Sequence, residues 1–109
     1  MANVSATSPA PSESGGPVTQ WCELQVEVPN PQGVHARPAH LIAEVANRFA
    51  SDVGIRRGDD RPVNAKSTIQ LLTLLAEKGS VLTVRAGGAD AEAAVAAVVD
   101  LVARGFDEM

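Results

Sequence analysis

The sequence contains a single cysteine, Cys22, so no disulfide bond can form within the chain. Cys22 lies in an alternation of apolar and polar residues, and we predict that it is buried as a small hydrophobic side chain without a functional role. The two histidines, His35 and His40, have no cysteine or carboxylate at the spacing of a metal site. We therefore expect neither a metal ion nor another cofactor.

Long apolar runs are also missing, since none approaches the roughly 20 residues that a membrane-spanning helix needs. The first residues lack the basic and apolar regions of a signal peptide, so we expect a cytoplasmic protein that does not insert into a membrane. Basic residues are few and scattered: 9 Lys and Arg stand against 13 Asp and Glu, for a net charge of −4. This balance argues against nucleic acid as a partner.

Composition divides the chain into two parts. Residues 1–20 consist mainly of Ser, Thr, Pro, Ala and Gly, with Val4 and Val18 as the only branched aliphatic residues. Such a segment cannot offset its ordering entropy by burial, so we predict a disordered N-terminal tail. Residues 21–109 form one small domain, which has room for a single core and little room for a deep cavity. Its chemistry should therefore lie near the surface.

The apolar pattern within the domain predicts the element order β-α-β-β-α-β-α. Residues 21–28 alternate as a half-buried strand, and helical spacing begins at Ala36. A hairpin turn at residues 58–60, a short helix from Ser67 that closes before Gly79, and a helix from Asp90 to Gly105 complete the pattern. We predict an α+β fold in which three helices cover one face of a four-stranded, mainly antiparallel sheet.

The candidate functional residues lie where a loop leads into the first helix. His35 is placed at or beside the N-cap, and Pro38 falls in the first turn, where a missing N–H group costs nothing. An anion attached to His35 would meet unpaired N–H groups and the positive end of the helix, which also favours the neutral, nucleophilic imidazole. Arg37 could offer charge-assisted donors to phosphoryl oxygens. The alternative is that His35 merely caps the helix and Arg37 is a solvated charge.

Several segments in this order and spacing resemble the HPr family of histidine-containing phosphocarrier proteins, over about residues 21–105. The matching segments are Gly33-Val34-His35-Ala36-Arg37-Pro38-Ala39, Val63-Asn64-Ala65-Lys66-Ser67, Lys78-Gly79, Leu82-Thr83-Val84 and Gly87-Gly88-Ala89-Asp90. The resemblance implies an open-faced β-sandwich and a carrier of the phosphoenolpyruvate-dependent sugar phosphotransferase system, which is not itself an enzyme. It implies that Nδ1 of His35 takes a phosphoryl group from phosphorylated Enzyme I and passes it to sugar-specific component A domains. Arg37 would be the phosphate partner and Pro38 the first-turn proline.

The resemblance also assigns roles around the second helix. Ser67 matches the serine that an ATP-dependent HPr kinase/phosphorylase modifies in many bacteria, although it is also a simple N-cap candidate, and the two roles are compatible. Four apolar residues match a region that docks Enzyme I and component A domains, and some of them must instead belong to the core. They are Ile69, Leu71, Leu72 and Leu74.

The chain departs from the family pattern at two positions and in its extra N-terminal tail. Thr68 stands where an apolar residue is usual, which leaves the strength of partner binding open. His40 stands where a small or apolar residue is usual, and its spacing from His35 predicts a solvent-exposed side chain rather than a proton relay.

Three other functions remain as alternatives. One is a carrier of the nitrogen-related regulatory branch of the same phosphotransferase system. Another is a regulatory module of the same fold that docks without transferring phosphate, although the pairing of His35 with Arg37 argues against it. A hydrolase built on Ser67, His35 and an aspartate would need a nucleophile elbow and a cavity that the sequence does not predict. We expect the protein to act as a monomer.

Overall fold

A computed structural model describes residues 21–108 of the chain, and its element order is the one that the sequence predicts. The predicted tail at residues 1–20 lies outside the described residues. The strands are β1 (Trp21–Glu27), β2 (Asp52–Arg57), β3 (Val63–Asn64) and β4 (Val81–Gly87). The helices are α1 (Ala36–Ala46), α2 (Thr68–Leu72) and α3 (Ala91–Ala103), and a 3₁₀ turn (Gly105–Asp107) follows α3.

The four strands form one antiparallel sheet in the order β1-β4-β2-β3. β4 is paired on both sides, because Val84 lies opposite Leu24 of β1 and opposite Ile55 of β2. α3 packs on β1 and β4, and α1 packs on α3 and α2. The predicted α+β class is therefore confirmed.

Over residues 21–108, no helix is both long and apolar enough to cross a bilayer.

The core lies between the sheet and the helices. Each helix contributes the side chains of one stripe, and each central strand contributes alternate residues, which is the arrangement that amphipathic elements require. Phe106, just after α3, is the largest fully buried side chain. The other principal core residues are Ile42, Ile55, Leu71, Leu82, Val28, Val84, Val95, Val98 and Val102.

The structure corrects three details of the predicted elements. Leu24 is 49% exposed although it lies on the core side of β1, because β1 is an edge strand with a neighbour on one side only. α1 ends at Ala46, before Phe49, since the Asn47 side chain donates to the Ala43 carbonyl at 2.8 Å and closes the last turn. α2 ends at Leu72, well before Gly79, and the chain turns at Leu75, which has a φ of 51°.

Asp90 joins the start of α3 to the loop before β2. Its carboxylate accepts hydrogen bonds from the Ser51 hydroxyl and, at 2.9 Å each, from the backbone N–H groups of Ala50 and Ser51. Asp90 is the N-cap residue of α3, yet its side chain makes no hydrogen bond to that helix. The Ser51 hydroxyl, followed by the two backbone donors, lowers the pKa of Asp90 from 3.8 to about 2.

This shift predicts how stability depends on acidity. Because the folded-state pKa of Asp90 lies below its unfolded-state value, the ionised carboxylate stabilises the fold above about pH 4, and this is lost as the pH falls through about 2. We expect thermal melts to show that the Tm advantage of the unmodified protein over Asp90→Asn shrinks steadily across that interval. The control is Glu92→Gln in the exposed first turn of α3. A constant Tm difference between Asp90→Asn and the unmodified protein would contradict the prediction.

Candidate functional site

The loop between β1 and α1 is fixed before it reaches the helix. Val34 donates its backbone N–H to the Ala76 carbonyl at 2.9 Å, and Gly33 donates its own to the Asn30 carbonyl at 3.1 Å. Gly33 has a φ of 67°, and a Cβ atom there would lie 2.3 Å from the Ala76 carbonyl oxygen. Only glycine meets both requirements, since it tolerates positive φ and has no side chain. The backbone that carries His35 is therefore held in one conformation.

His35 is the N-cap residue of α1, with an extended backbone and no hydrogen bond from its side chain to the helix. Its carbonyl accepts the first helical hydrogen bond, from Ala39 at 2.9 Å. Pro38 lies in the first turn, as predicted, and is buried. No acidic residue is present in that turn, so nothing within it neutralises the positive end of the helix. The imidazole thus stands at a helix terminus suited to an anion, and its side chain is 37% exposed.

Glu108, from the opposite end of the chain, completes the site. Its carboxylate lies against the imidazole, with Nε2 of His35 at 3.1 Å from Oε2 and at 3.3 Å from Oε1. Arg37 donates to the same Oε2 at 3.2 Å and to the Phe106 carbonyl at 3.4 Å. Nε2 is therefore engaged, whereas Nδ1 has no hydrogen-bond partner among residues 21–108. The structure brings His35 and Arg37 together around this carboxylate.

The turn after α3 delivers Glu108. Gly105 has a φ of 66° and ends the helix, and the next two residues, Phe106 and Asp107, also have positive φ, at 58° and 61°. This backbone costs about 1–2 kcal/mol for each non-glycine residue. Phe106 is completely buried, and burial of such a side chain contributes about 1.5–3 kcal/mol. The buried phenylalanine therefore anchors the C-terminal segment against the core.

Glu108 remains ionised under ordinary conditions. Its burial raises the pKa, but hydrogen bonds from Asn30 and His35, the charge on His35 and the bond from Arg37 outweigh that effect and leave the pKa of Glu108 below its usual value. Sequence reasoning missed this residue because it lies 73 residues from His35. The one signal was Phe106, a large apolar residue just after Gly105, which indicates a return to the core.

Ser67 caps α2, as predicted. Its hydroxyl accepts a hydrogen bond from the Gln70 backbone N–H at 3.1 Å. Lys66, the residue before it, donates its Nζ to the Phe49 carbonyl at 2.8 Å and so ties the start of α2 to the turn that follows α1. Because α2 packs against α1, Ser67 stands on an element adjacent to the helix that His35 begins.

The predicted docking residues divide into two groups. Ile69 is 78% exposed and Leu72 is 38% exposed. Leu71 and Leu74 are 0% and 4% exposed, so their assignment to a docking surface is wrong and both belong to the core. Leu75 is 71% exposed and was not predicted, since the turn that exposes it follows the end of α2. We call Ile69, Leu72 and Leu75 the α2 patch.

The remaining predicted features lie apart from the imidazole. His40 is 64% exposed, with Nε2 at 3.7 Å from the Glu44 carboxylate, which agrees with the predicted solvent position. Thr68 is the first residue of α2. Among residues 21–108, no three His, Cys, Asp or Glu side chains are grouped so that they could hold a metal ion.

Comparison with known proteins gives concordant results. Residues 22–104 match the family model described as the PTS HPr component phosphorylation site. The chain is similar to the phosphocarrier protein NPr of Escherichia coli (strain K12), with 41% identity over 76% of this chain and 92% of that protein. It is similar to the phosphocarrier protein HPr of Neisseria meningitidis, with 37% identity over 76% of this chain and 92% of that protein. A crystal structure of HPr from Thermoanaerobacter tengcongensis superposes with a TM-score of 0.76 at 38% identity, covering 81% of this chain and 98% of that one.

Proposed function

The chain belongs to the HPr family of phosphocarrier proteins, and on that premise we propose that His35 is the residue that carries the phosphoryl group. The protein is a carrier and not an enzyme. In this proposal Nδ1 of His35 accepts the group from phosphorylated Enzyme I and passes it to a component A domain. The proposal of these two partners implies a cytoplasmic location for the protein. The observation that carries the proposal is the placement of the imidazole at the start of α1, beside Arg37, within the region matched by the family model.

The transfer step needs positioning and charge stabilisation more than covalent chemistry from the protein. The lone pair of Nδ1 attacks phosphorus, the bond between phosphorus and the donor breaks, and its electron pair stays on the donor. The incoming oxygens meet the N–H groups at the start of α1 and the positive end of that helix. The proton on Nε2 stays on the imidazole, hydrogen-bonded to Glu108.

Arg37 supplies the mobile charge in this proposal. It is 57% exposed and is held by Glu108 and the Phe106 carbonyl at 3.2 and 3.4 Å. Because the guanidinium itself is largely solvated and Glu108 keeps its hydrogen bonds to Asn30 and His35, the guanidinium can leave this ion pair at little cost. Turned toward His35, it would present planar donors to the phosphoryl oxygens. Pro38 keeps the first turn rigid while Arg37 moves.

Docking of partners is assigned to the α2 patch. Exposed apolar side chains that are surrounded by polar ones mark interaction sites. Ile69 and Leu72 are the two docking residues of the original prediction that remain exposed, and Leu75 adds to them. α2 packs against α1, so a partner that covers the patch also approaches His35.

For the branch of the phosphotransferase system we propose sugar uptake, since Lys66 and Ser67 match the kinase-regulated members of the family. The nitrogen-related branch is the second candidate, and the 41% identity to an NPr protein favours it. Labelled phosphoenolpyruvate separates the two when it is combined with the Enzyme I of either branch. The sugar branch predicts faster labelling with the sugar Enzyme I, and the opposite order would assign the chain to the nitrogen branch. Failure of both to label the chain would refute the carrier function.

Ser67 is proposed as a regulatory site, and Ser67→Asp should reveal it. The added charge stands beside Ile69 and Leu72 and must be desolvated when a partner covers them, so acceptance of phosphate from Enzyme I should slow. The same charge at the start of α2 should stabilise the fold by about 0.3–1 kcal/mol. Transfer assays paired with thermal melts should therefore show rate and stability moving in opposite directions.

Two further variants interpret that result. Ser67→Ala removes the hydroxyl that accepts from Gln70, so it should lower stability by about 1 kcal/mol and leave the transfer rate of the folded protein unchanged. Incubation with HPr kinase and ATP should label the unmodified protein and not Ser67→Ala. A normal transfer rate for Ser67→Asp would leave Ser67 as a helix cap alone.

A further inference from the structure

Asn30, in the loop before His35, is a fully buried polar residue that sequence reasoning left unassigned. Its side-chain amide Nδ2 donates to the Gly33 carbonyl at 2.8 Å and to Oε1 of Glu108 at 3.0 Å. One amide group thus joins the loop that carries His35 to the C-terminal segment. The two segments are 78 residues apart in the sequence.

The orientation of the Asn30 amide follows from its neighbours. Both groups within reach, a backbone carbonyl and a carboxylate, can only accept hydrogen bonds, so the NH₂ end must face them. The carbonyl end, Oδ1, is then buried without a partner among the described residues. An unpaired buried acceptor is unfavourable, so this orientation must be maintained by the two hydrogen bonds that the NH₂ group donates.

The second of these hydrogen bonds holds the carboxylate that contacts the imidazole. Oε1 of Glu108 lies between Nδ2 of Asn30 and Nε2 of His35, at 3.0 and 3.3 Å, and Oε2 is shared by His35 and Arg37. In the proposed transfer, His35 changes its charge and Arg37 changes its partner. The Asn30 amide does not titrate, so its hydrogen bond to Glu108 depends neither on the charge of His35 nor on the partner of Arg37.

We propose that Asn30 is a positioning residue that, through Glu108, keeps the proton of the neutral His35 imidazole on Nε2 and leaves the lone pair on Nδ1. A histidine tautomer is set by the hydrogen bond that its other nitrogen makes, and here the acceptor is the carboxylate that Asn30 orients. The effect of this tautomer on phosphoryl transfer rests on the proposed phosphocarrier function. The tautomer itself is a property of the unphosphorylated protein.

The test combines NMR spectroscopy with transfer kinetics. Long-range ¹H–¹⁵N spectra of the unmodified protein should show neutral His35 as the Nε2–H form, whereas Asn30→Ala should show both tautomers in exchange, as a solvated imidazole does. The kcat/KM for phosphoryl acceptance should fall on the order of tenfold, a size typical of residues that orient a functional group through one intermediary. In a Glu108→Ala background the same substitution should have no further effect on either readout.

Asn47→Ala is the matched control. Asn47 also donates its side-chain amide to two acceptors, the carbonyls of Ala43 and Lys66 at 2.8 and 3.1 Å, but it does not contact Glu108. This variant should lose stability and keep both the Nε2–H form and the kcat/KM of the folded fraction. If Asn30→Ala behaves in the same way as Asn47→Ala, Asn30 is merely structural and the proposal is wrong.

Two measurements keep the proposal testable should Asn30→Ala not fold. Asn30→Asp preserves the size of the side chain and replaces the donor with a second carboxylate facing Glu108, so it should release the imidazole and mix the tautomers. In the unmodified protein, the Asn30 side-chain amide resonances should shift as Glu108 titrates, and the absence of that shift would overturn the link. Both are read without phosphorylation, so they separate this inference from a failure of the carrier function.

Discussion

Replacement of His35 by alanine is expected to reduce phosphoryl acceptance from Enzyme I below detection, because no other side chain among residues 21–108 offers a nucleophile at the start of α1. His35 is the partly exposed N-cap residue of α1, and its side chain makes no hydrogen bond to that helix. The free energy of unfolding should therefore change by no more than about 1 kcal/mol. Labelling with ³²P-phosphoenolpyruvate and Enzyme I, together with chemical denaturation, measures both quantities.

His40→Ala is the matched control for this substitution. His40 is the other histidine of the chain and lies on the same helix, but it faces solvent near Glu44. The His40→Ala variant should accept phosphate at the normal rate. The label on the unmodified protein should be lost in acid and retained in alkali, since the bond to nitrogen is a phosphoramidate. Labelling of His35→Ala at the normal level, or an acid-stable label, would place the phosphate elsewhere, with Ser67 the first residue to test.

Replacement of Arg37 by alanine should lower kcat/KM for phosphoryl acceptance by about 10²–10³-fold, the usual loss when a donor to a developing anion is removed. Arg37→Lys should recover only part of this, because lysine keeps the charge and loses the planar pair of donors. Since Arg37 is exposed, the free energy of unfolding should change by no more than about 0.5 kcal/mol. The expected signature is a large kinetic loss in a protein of normal stability.

Arg48→Ala provides the comparison for the loss of one positive charge. Arg48 is exposed just beyond the C-terminal end of α1, so its removal changes the net charge equally without affecting the site. Steady-state transfer from Enzyme I should be close to normal for this variant. Equal rates for Arg37→Ala and Arg48→Ala would mean that Arg37 contributes only to the overall field, and its proposed contact with the phosphoryl group would have to be abandoned.

Glu108 links these predictions to the fold. With Arg37 removed, Glu108 keeps its bonds to Asn30 and His35, so the imidazole should stay in place while the phosphoryl oxygens lose a donor. With His35 removed, Arg37 keeps its ion pair to Glu108. The two substitutions should therefore remove separate proposed functions from one cluster, the nucleophile in one case and the charge partner in the other.

The sequence determined the features that depend on near neighbours. The alternation in β1 and the helical stripes specified the sheet and its covering helices, because both patterns repeat over a few residues. His35 at the N-cap and Pro38 in the first turn followed from helix start signals, which are local. Ser67 as the cap of α2 followed in the same way, since its partner Gln70 lies three residues away. The motif around His35, together with the matching segments that follow it, was sufficient to indicate the family.

Tertiary structure decided the features in which the chain meets itself at a distance. The apolar residues of α2, Ile69, Leu71 and Leu72, do not form one stripe on a helix of only five residues, so periodicity could not separate exposed Ile69 from buried Leu71. Asp90 was predicted as a cap for its own helix, but its carboxylate accepts instead from residues about forty positions earlier. Glu108 and Asn30 meet where buried Phe106 and the turn at residues 105–107 bring the chain back to the loop before α1. Such contacts arise from how packed elements place their ends, and that placement depends on the whole core rather than on any local run of residues.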